Sequence, residues 1–108
     1  MSTIRIPDQV REEALRVIQQ FNQKKLAKMG CRYIPRFKGN YLYLDRDDFG
    51  SVGRICRLEY AGQRKGWYFA IYKYSDNCYD PKDWFFPGSE LVDGTVKGAL
   101  DAGMHAYQ

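Results

Sequence analysis

The spacing of apolar residues changes twice along this chain, and those changes fix the order of its elements. Val10, Ala14, Val17, Ile18 and Phe21 recur at helical intervals, the stretch from Arg32 to Tyr74 alternates, and Val92, Val96, Leu100 and Met104 return to helical spacing. A period of about 3.6 residues buries one stripe of a helix, whereas a period of two buries one face of a strand. The pattern predicts an α+β fold: an N-terminal helix, an antiparallel sheet of about four strands in two hairpins, and a C-terminal helix. Both helices are expected on one face of the sheet.

Local signals set the boundaries. The first helix is predicted from about Pro7 to Met29, with Pro7 at its first position, Asp8, Glu12 and Glu13 at its positive end, and Gly30 just past its last turn. Strands are predicted over Arg32–Phe37 and Tyr41–Arg46 around a Lys38-Gly39-Asn40 turn, and over Arg54–Tyr60 and Trp67–Tyr74 around Ala61 to Gly66. Pro35 has no N–H for a ladder, so the first strand belongs at an edge. Asp47–Gly53 reads as a loop and Ser75–Asp83 as turns. Trp84-Phe85-Phe86 is expected to return the chain to the core. Ser89 or Asp93 is the expected N-cap of the last helix, which ends near Ala106. Gly94 and Gly98, four positions apart, imply close backbone contact.

At 108 residues and 44% apolar composition, the chain suits a single domain over residues 1–108, with residues 1–6 a flexible lead. The longest apolar run, Trp67 to Tyr72, is too short to cross a bilayer, and Met1 to Arg5 lack the apolar core of an export signal. A cytoplasmic protein with no membrane partner is the expectation. Cys31, Cys56 and Cys78 are widely spaced and read as free thiols, Cys56 as a small core residue. His105 is the single histidine. Neither a metal nor another cofactor is expected.

The net charge of +4 is unevenly spread. Residues 1–38 hold nine Lys/Arg against three Asp/Glu, and residues 76–108 hold two against six. Such an asymmetry suits a nucleic acid, or attraction between the two ends of the chain. Lys24, Lys25, Lys28, Arg32, Arg36 and Lys38 form the candidate basic patch.

Alternation also assigns faces. Leu42, Leu44, Cys56, Leu58, Trp67, Phe69 and Ile71 form the set beneath the helices. Tyr41, Tyr43, Arg57, Glu59, Tyr68, Tyr72 and Tyr74 form the opposite set; strand 1 can present either side, and Arg32 and Arg36 join this set in one of the two orientations. Tyrosine is a good strand former whose cross-strand pairs stabilise a sheet. Tyr and Arg are also enriched where proteins bind one another, and aromatics beside arginines stack nucleic-acid bases. Tyr41, Tyr43, Arg57, Tyr68, Tyr72 and Tyr74 are therefore the candidate interaction surface.

No phosphate-binding glycine loop or nucleophile elbow occurs. Asp45, Asp47 and Asp48 lack the glycine and distal glutamate of a calcium loop. His105 is the one available imidazole base for Cys31 or Cys78, and no catalytic residue is assigned. The helix–strands–helix order resembles the double-stranded RNA-binding domain, but Glu90 and Asp93 stand where that family has lysines.

Tyr33 to Arg46, Phe69-Ala70-Ile71-Tyr72-Lys73-Tyr74 and Trp84 to Gly88 through Asp93-Gly94-Thr95 resemble a family of small bacterial proteins with no assigned function. The resemblance covers most of the chain. It implies a stand-alone bacterial domain and no activity, substrate or binding residue. The functional expectation is a non-enzymatic module that binds a protein partner or a second copy of itself. A nucleic-acid-binding protein is the alternative, and an enzyme acting on a small molecule is third.

Overall fold

The structure is a computed structural model that describes residues 6–62 and 66–107. The expected turn residues Gln63-Arg64-Lys65 and most of the N-terminal lead lie outside the described residues. Ile6, placed in that lead, is instead buried.

Helix α1 spans Asp8–Phe21, with Pro7 extended at the N-cap, one position earlier than its fixed φ alone implied. Ala14, Ile18 and Phe21 are its buried stripe. The expected continuation to Met29 is helical but not α. A π turn over Asn22–Leu26 and a 3-10 turn over Ala27–Met29 lead to Gly30, which is left-handed at φ 74°. The π turn places the Asn22 carboxamide against β1 (Cys31–Lys38), where Asn22 Oδ1 accepts the Tyr33 N–H at 2.8 Å and Asn22 Nδ2 donates to the Tyr33 carbonyl at 3.1 Å.

The sheet is a five-stranded antiparallel meander in the order β1-β2-β3-β4-β5, with β2 Tyr41–Asp48, β3 Ser51–Tyr60, β4 Trp67–Lys73 and β5 Cys78–Asp80. β1 is at the edge, as Pro35 required. Asn22 occupies the polar groups of Tyr33, and Pro35 supplies no N–H, so this edge is poorly suited to pairing with another strand. Two segments differ from expectation. Asp47–Gly53 is not a loop: β2 and β3 run through it around Phe49 and Gly50, both at positive φ (57° and 91°). Phenylalanine rarely takes a position that a tight hairpin normally gives to Asn, Asp or Gly, so the turn signal was absent. Within Ser75–Asp83, Cys78–Asp80 pairs with Ile71–Lys73 as a fifth strand too short to carry a pattern.

Helix α2 spans Val96–Ala106 and is capped by neither Ser89 nor Asp93. Thr95 is the cap, its hydroxyl accepting from the Gly98 N–H at 3.0 Å. Asp93 supports the cap by accepting from the Thr95 N–H at 3.1 Å and from its hydroxyl at 2.6 Å. Close contact is borne out at Gly98, where a Cβ would lie 2.7 Å from the Leu91 carbonyl oxygen. Gly103 is similarly tight: a Cβ there would come within 2.5 Å of the Tyr33 hydroxyl and 2.7 Å of Ile55 Cγ2. That absence of a side chain lets α2 settle onto β3 and lets Tyr33 donate to the Leu100 carbonyl at 2.7 Å.

Leu42, Leu44, Cys56, Leu58, Phe69 and Ile71 are buried beneath the helices in one cluster with Phe21, Leu26, Ala99 and Leu100. The face assignment read from alternation is therefore correct on this side. No described helix is long and apolar enough to cross a membrane.

Candidate functional site

The opposite face of the sheet is not a flat platform. Tyr79 on β5 lies 5.3 Å from Tyr43 on β2, centroid to centroid, and 4.9 Å from Tyr72. Three successive strand spacings would separate β2 from β5 by about 14 Å in a flat sheet. The sheet therefore curls across Ala70, which is buried although it belongs to this face. Three arginines of the face lie over tyrosines. The Arg57 Cζ is 4.6 Å from the Tyr41 ring, Arg36 is 5.0 Å from Tyr43, and Arg54 is 5.5 Å from Tyr72. Arg36 also pairs with buried Asp45 at 2.8 Å. Burial and Asp45 push the Tyr79 phenol above its ordinary value, with Arg36 and Arg54 offsetting part of that.

This arrangement is a second small core made from amphipathic rings and guanidinium planes. It corrects one residue of the expected surface. Tyr72 is 2% exposed, its hydroxyl donating to Asn77 and its backbone carbonyl accepting from the Tyr107 hydroxyl. Tyr41, Tyr43 and Arg57 are half-buried, while Tyr68 is 53% exposed and Tyr74 is exposed against Tyr72 and Tyr107. The Arg57 Nε and Tyr79 hydroxyl are buried without a hydrogen-bond partner among the described residues.

The candidate basic residues do not converge. Lys24, Lys25 and Lys28 lie on the two turns after α1, whereas alternation puts Arg32, Arg36 and Lys38 on the curled face. Asp101 on α2 takes Lys25 at 3.4 Å and Lys97 at 3.3 Å, so the acidic C-terminal third does meet the basic first third. Asp47 stands 4.0 Å from Arg32.

A surface that the sequence did not single out lies along β4. Because β5 covers only Ile71–Lys73, the outer side of Trp67–Ala70 has no strand beside it, and the Trp67 N–H donates instead to the Gly94 carbonyl at 2.9 Å. Against this edge sits the loop carrying Trp84, Phe85 and Phe86. Phe86 stacks on Phe69 at 5.6 Å, as expected of a segment that returns to the core. Phe85 does not return: it is 98% exposed, next in the chain to half-exposed Trp84, which lines one groove with exposed Tyr68.

Fixed contacts on both sides hold Phe85 outward. Asp83 accepts the Phe85 N–H at 2.9 Å and pairs with Lys73 at 3.0 Å, and Lys73 also meets Asp76 and Asp80 at 3.6 and 3.7 Å. The backbone N–H and the ammonium together lower the Asp83 pKa. A groove of about 440 Å³ runs beside the loop, between Tyr68, Phe69, Trp84 and Val92. Three aromatics in a row carry no local signal of which ring faces out, and that is why this surface escaped the sequence.

The structure also brings Cys31 and His105 to one cavity at the end of the sheet, while Cys78 is exposed on β5. Burial and Asp48 hold the Cys31 thiol above its ordinary pKa, so it is not a ready thiolate. All three cysteines are free, and no metal-holding cluster of His, Cys, Asp and Glu occurs among the described residues. No protein-family model matches the chain, and neither a curated protein nor a solved structure matches it significantly.

Proposed function

We propose that the protein is a non-enzymatic, cytoplasmic interaction module that associates with a second copy of itself through the β4 edge. The observation that carries this reading is Phe85, a fully exposed aromatic on a loop fastened by Asp83, Lys73 and Phe86. Exposed apolar rings on an ordered loop fit contact anchors, since aromatics dominate interface hot spots. The anchor and an apolar groove occupy one edge. A two-fold interface needs such a self-complementary patch, each copy presenting Phe85 to the groove of the other. Sheet extension is disfavoured, because Asn22 and Pro35 blunt β1 and β5 is three residues long.

The other readings have less support. Ion pairs to Asp45, Asp47 and Asp101 partly neutralise Arg36, Arg32 and Lys25, which a phosphate-binding surface would keep free. Cys31 and His105 share a cavity, but the thiol's raised pKa opposes nucleophilic chemistry.

Sedimentation equilibrium across a concentration series tests the proposal. The expected result is a reversible dimer that Phe85→Ser converts to monomer, with a melting temperature equal to that of the wild type diluted to its monomer, since an exposed ring contributes no burial to the monomer fold. A wild-type protein monomeric at every concentration would sink self-association. A dimer that persists in Phe85→Ser would remove the β4 edge as its contact.

A further inference from the structure

Three stretches far apart in the chain close around a cavity at the end of the sheet: the Met29–Cys31 turn, the β2–β3 hairpin tip and the last turn of α2. Its volume is about 560 Å³, within the range of roughly 300–1,000 Å³ typical of small-molecule sites. The wall is built around Arg46, whose side chain is only 4% exposed. Arg46 Nε donates to both Asp48 oxygens at 3.0 and 3.2 Å, Nη1 to the Gly103 carbonyl at 3.4 Å, and Nη2 to the Tyr107 carbonyl. The guanidinium thereby ties two carbonyls at the end of α2 to the sheet, that of Gly103 also accepting the Tyr107 N–H at 3.0 Å. Its donors are engaged by the protein, so it has little left for a ligand.

Beside Arg46 the polar capacity that remains is the Asp48 carboxylate, an acceptor, with the His105 imidazole the other open polar group of the lining. The Asp48 side chain is 43% exposed at the cavity, and two carboxylate oxygens offer more acceptor sites than one N–H fills. The rest of the lining mixes the soft apolar Met29, Phe49 and Met104 with Cys31, Tyr107 and the exposed His105 imidazole. Met29 and Met104 are flexible thioethers that adapt to a guest and favour contact with aromatic ring edges.

Phe49 forms the lip: it is 83% exposed, at φ 57°, and its N–H donates to the Gly30 carbonyl at 3.3 Å. Its ring rests over Gly30, where a Cβ would lie 2.5 Å from Phe49 Cε1. A bulky residue is seldom held left-handed, and such positions cluster at ligand clamps. Here the unusual backbone holds an aromatic ring open at the mouth of a cavity.

From the carboxylate, the thioethers and the open ring, we infer that this cavity is a binding site for a small aromatic molecule bearing an amine head. The amine is bound by Asp48, and the aromatic body lies between Phe49, Met29 and Met104. The site is independent of the β4 edge and of whether the protein self-associates.

The test uses 2-phenylethylamine and its acidic counterpart phenylacetate as probes, read by NMR of ¹³C-methyl methionine in the full chain. The amine is expected to shift the Met29 and Met104 signals saturably, and phenylacetate to bind about tenfold or more weakly, for want of the charge-assisted bond. Asp48→Asn should weaken the amine by a similar factor, and Met104→Trp should fill the cavity and abolish the Met29 response. Phe49→Ala, which removes an exposed ring and leaves the core untouched, should weaken the amine several-fold and serves as the deciding variant if Asp48→Asn fails to fold. Absence of a saturable shift with the amine would overturn the site. So would equal binding of amine and acid, or an amine affinity unchanged in Phe49→Ala.

Discussion

Tyr68 and Tyr72 stand on one strand, four positions apart and on the same face, yet their surroundings are opposite. Tyr72 is enclosed by Tyr74 at 4.8 Å, Tyr79 at 4.9 Å and the Arg54 guanidinium at 5.5 Å, while Tyr68 stands free beyond the end of β5. Removing a buried aromatic loses both its transfer energy and the packing around it. Tyr72→Ser should therefore cost about 3–5 kcal/mol of stability. Tyr68→Ser should cost no more than about 0.2–1 kcal/mol through its cross-strand neighbours. Urea unfolding of the two variants checks this, and equal losses would mean that the curled face is not a core. Alternation alone gave both residues the same exposure. The missing information was the curl of the sheet, which depends on small Ala70 and on Tyr79, a residue of the strand that carried no readable pattern.

At the scale of elements, the β1 edge shows how a short side chain replaces a missing strand. The Asn22 carboxamide makes with Tyr33 the two bonds that a neighbouring strand would have made. Asn22→Ala should leave a part-buried N–H and carbonyl unpaired, at about 1–3 kcal/mol, and open the edge to intermolecular pairing. Lower urea stability together with concentration-dependent light scattering is the expected outcome, and a variant as stable and as monodisperse as its parent would refute the role.

The helices, the two expected hairpins and the buried set of the sheet were legible because their periodicity extends over many residues. Turns were less so. Phe49 occupies a left-handed position that its residue type does not signal, and Asn22 reads as an ordinary helical residue until the π turn aims it at β1. The cavity at the end of the sheet was illegible for another reason. Met29, Asp48 and Met104 meet only through long-range closure, which no local spacing encodes.

For the molecule as a whole, the neutral forms of buried acids set a limit on the alkaline side. Cys56 is fully buried and Tyr33 nearly so, and burial raises both pKa values far above their ordinary 9.0 and 10.0. In the unfolded chain both groups ionise near those ordinary values, while in the native protein they keep their protons. The unfolded state then binds fewer protons than the native state, so stability falls as pH rises. The contribution is whole below about pH 9, declines from there as the thiol ionises in the unfolded chain, and declines more steeply above about pH 10 as the phenol joins it. Tyr79 and Tyr107, also raised by burial, act in the same direction.

Tyr33→Phe separates this linkage from packing. The variant loses the hydrogen bond to the Leu100 carbonyl, which lowers stability at every pH. It also loses a titrating phenol, which flattens the decline above pH 10. Urea midpoints measured from pH 8 to pH 11 should therefore show a less stable variant with a shallower alkaline slope. A variant whose curve is merely displaced, parallel to that of the parent, would mean that Tyr33 ionises as readily in the native core as in the unfolded chain.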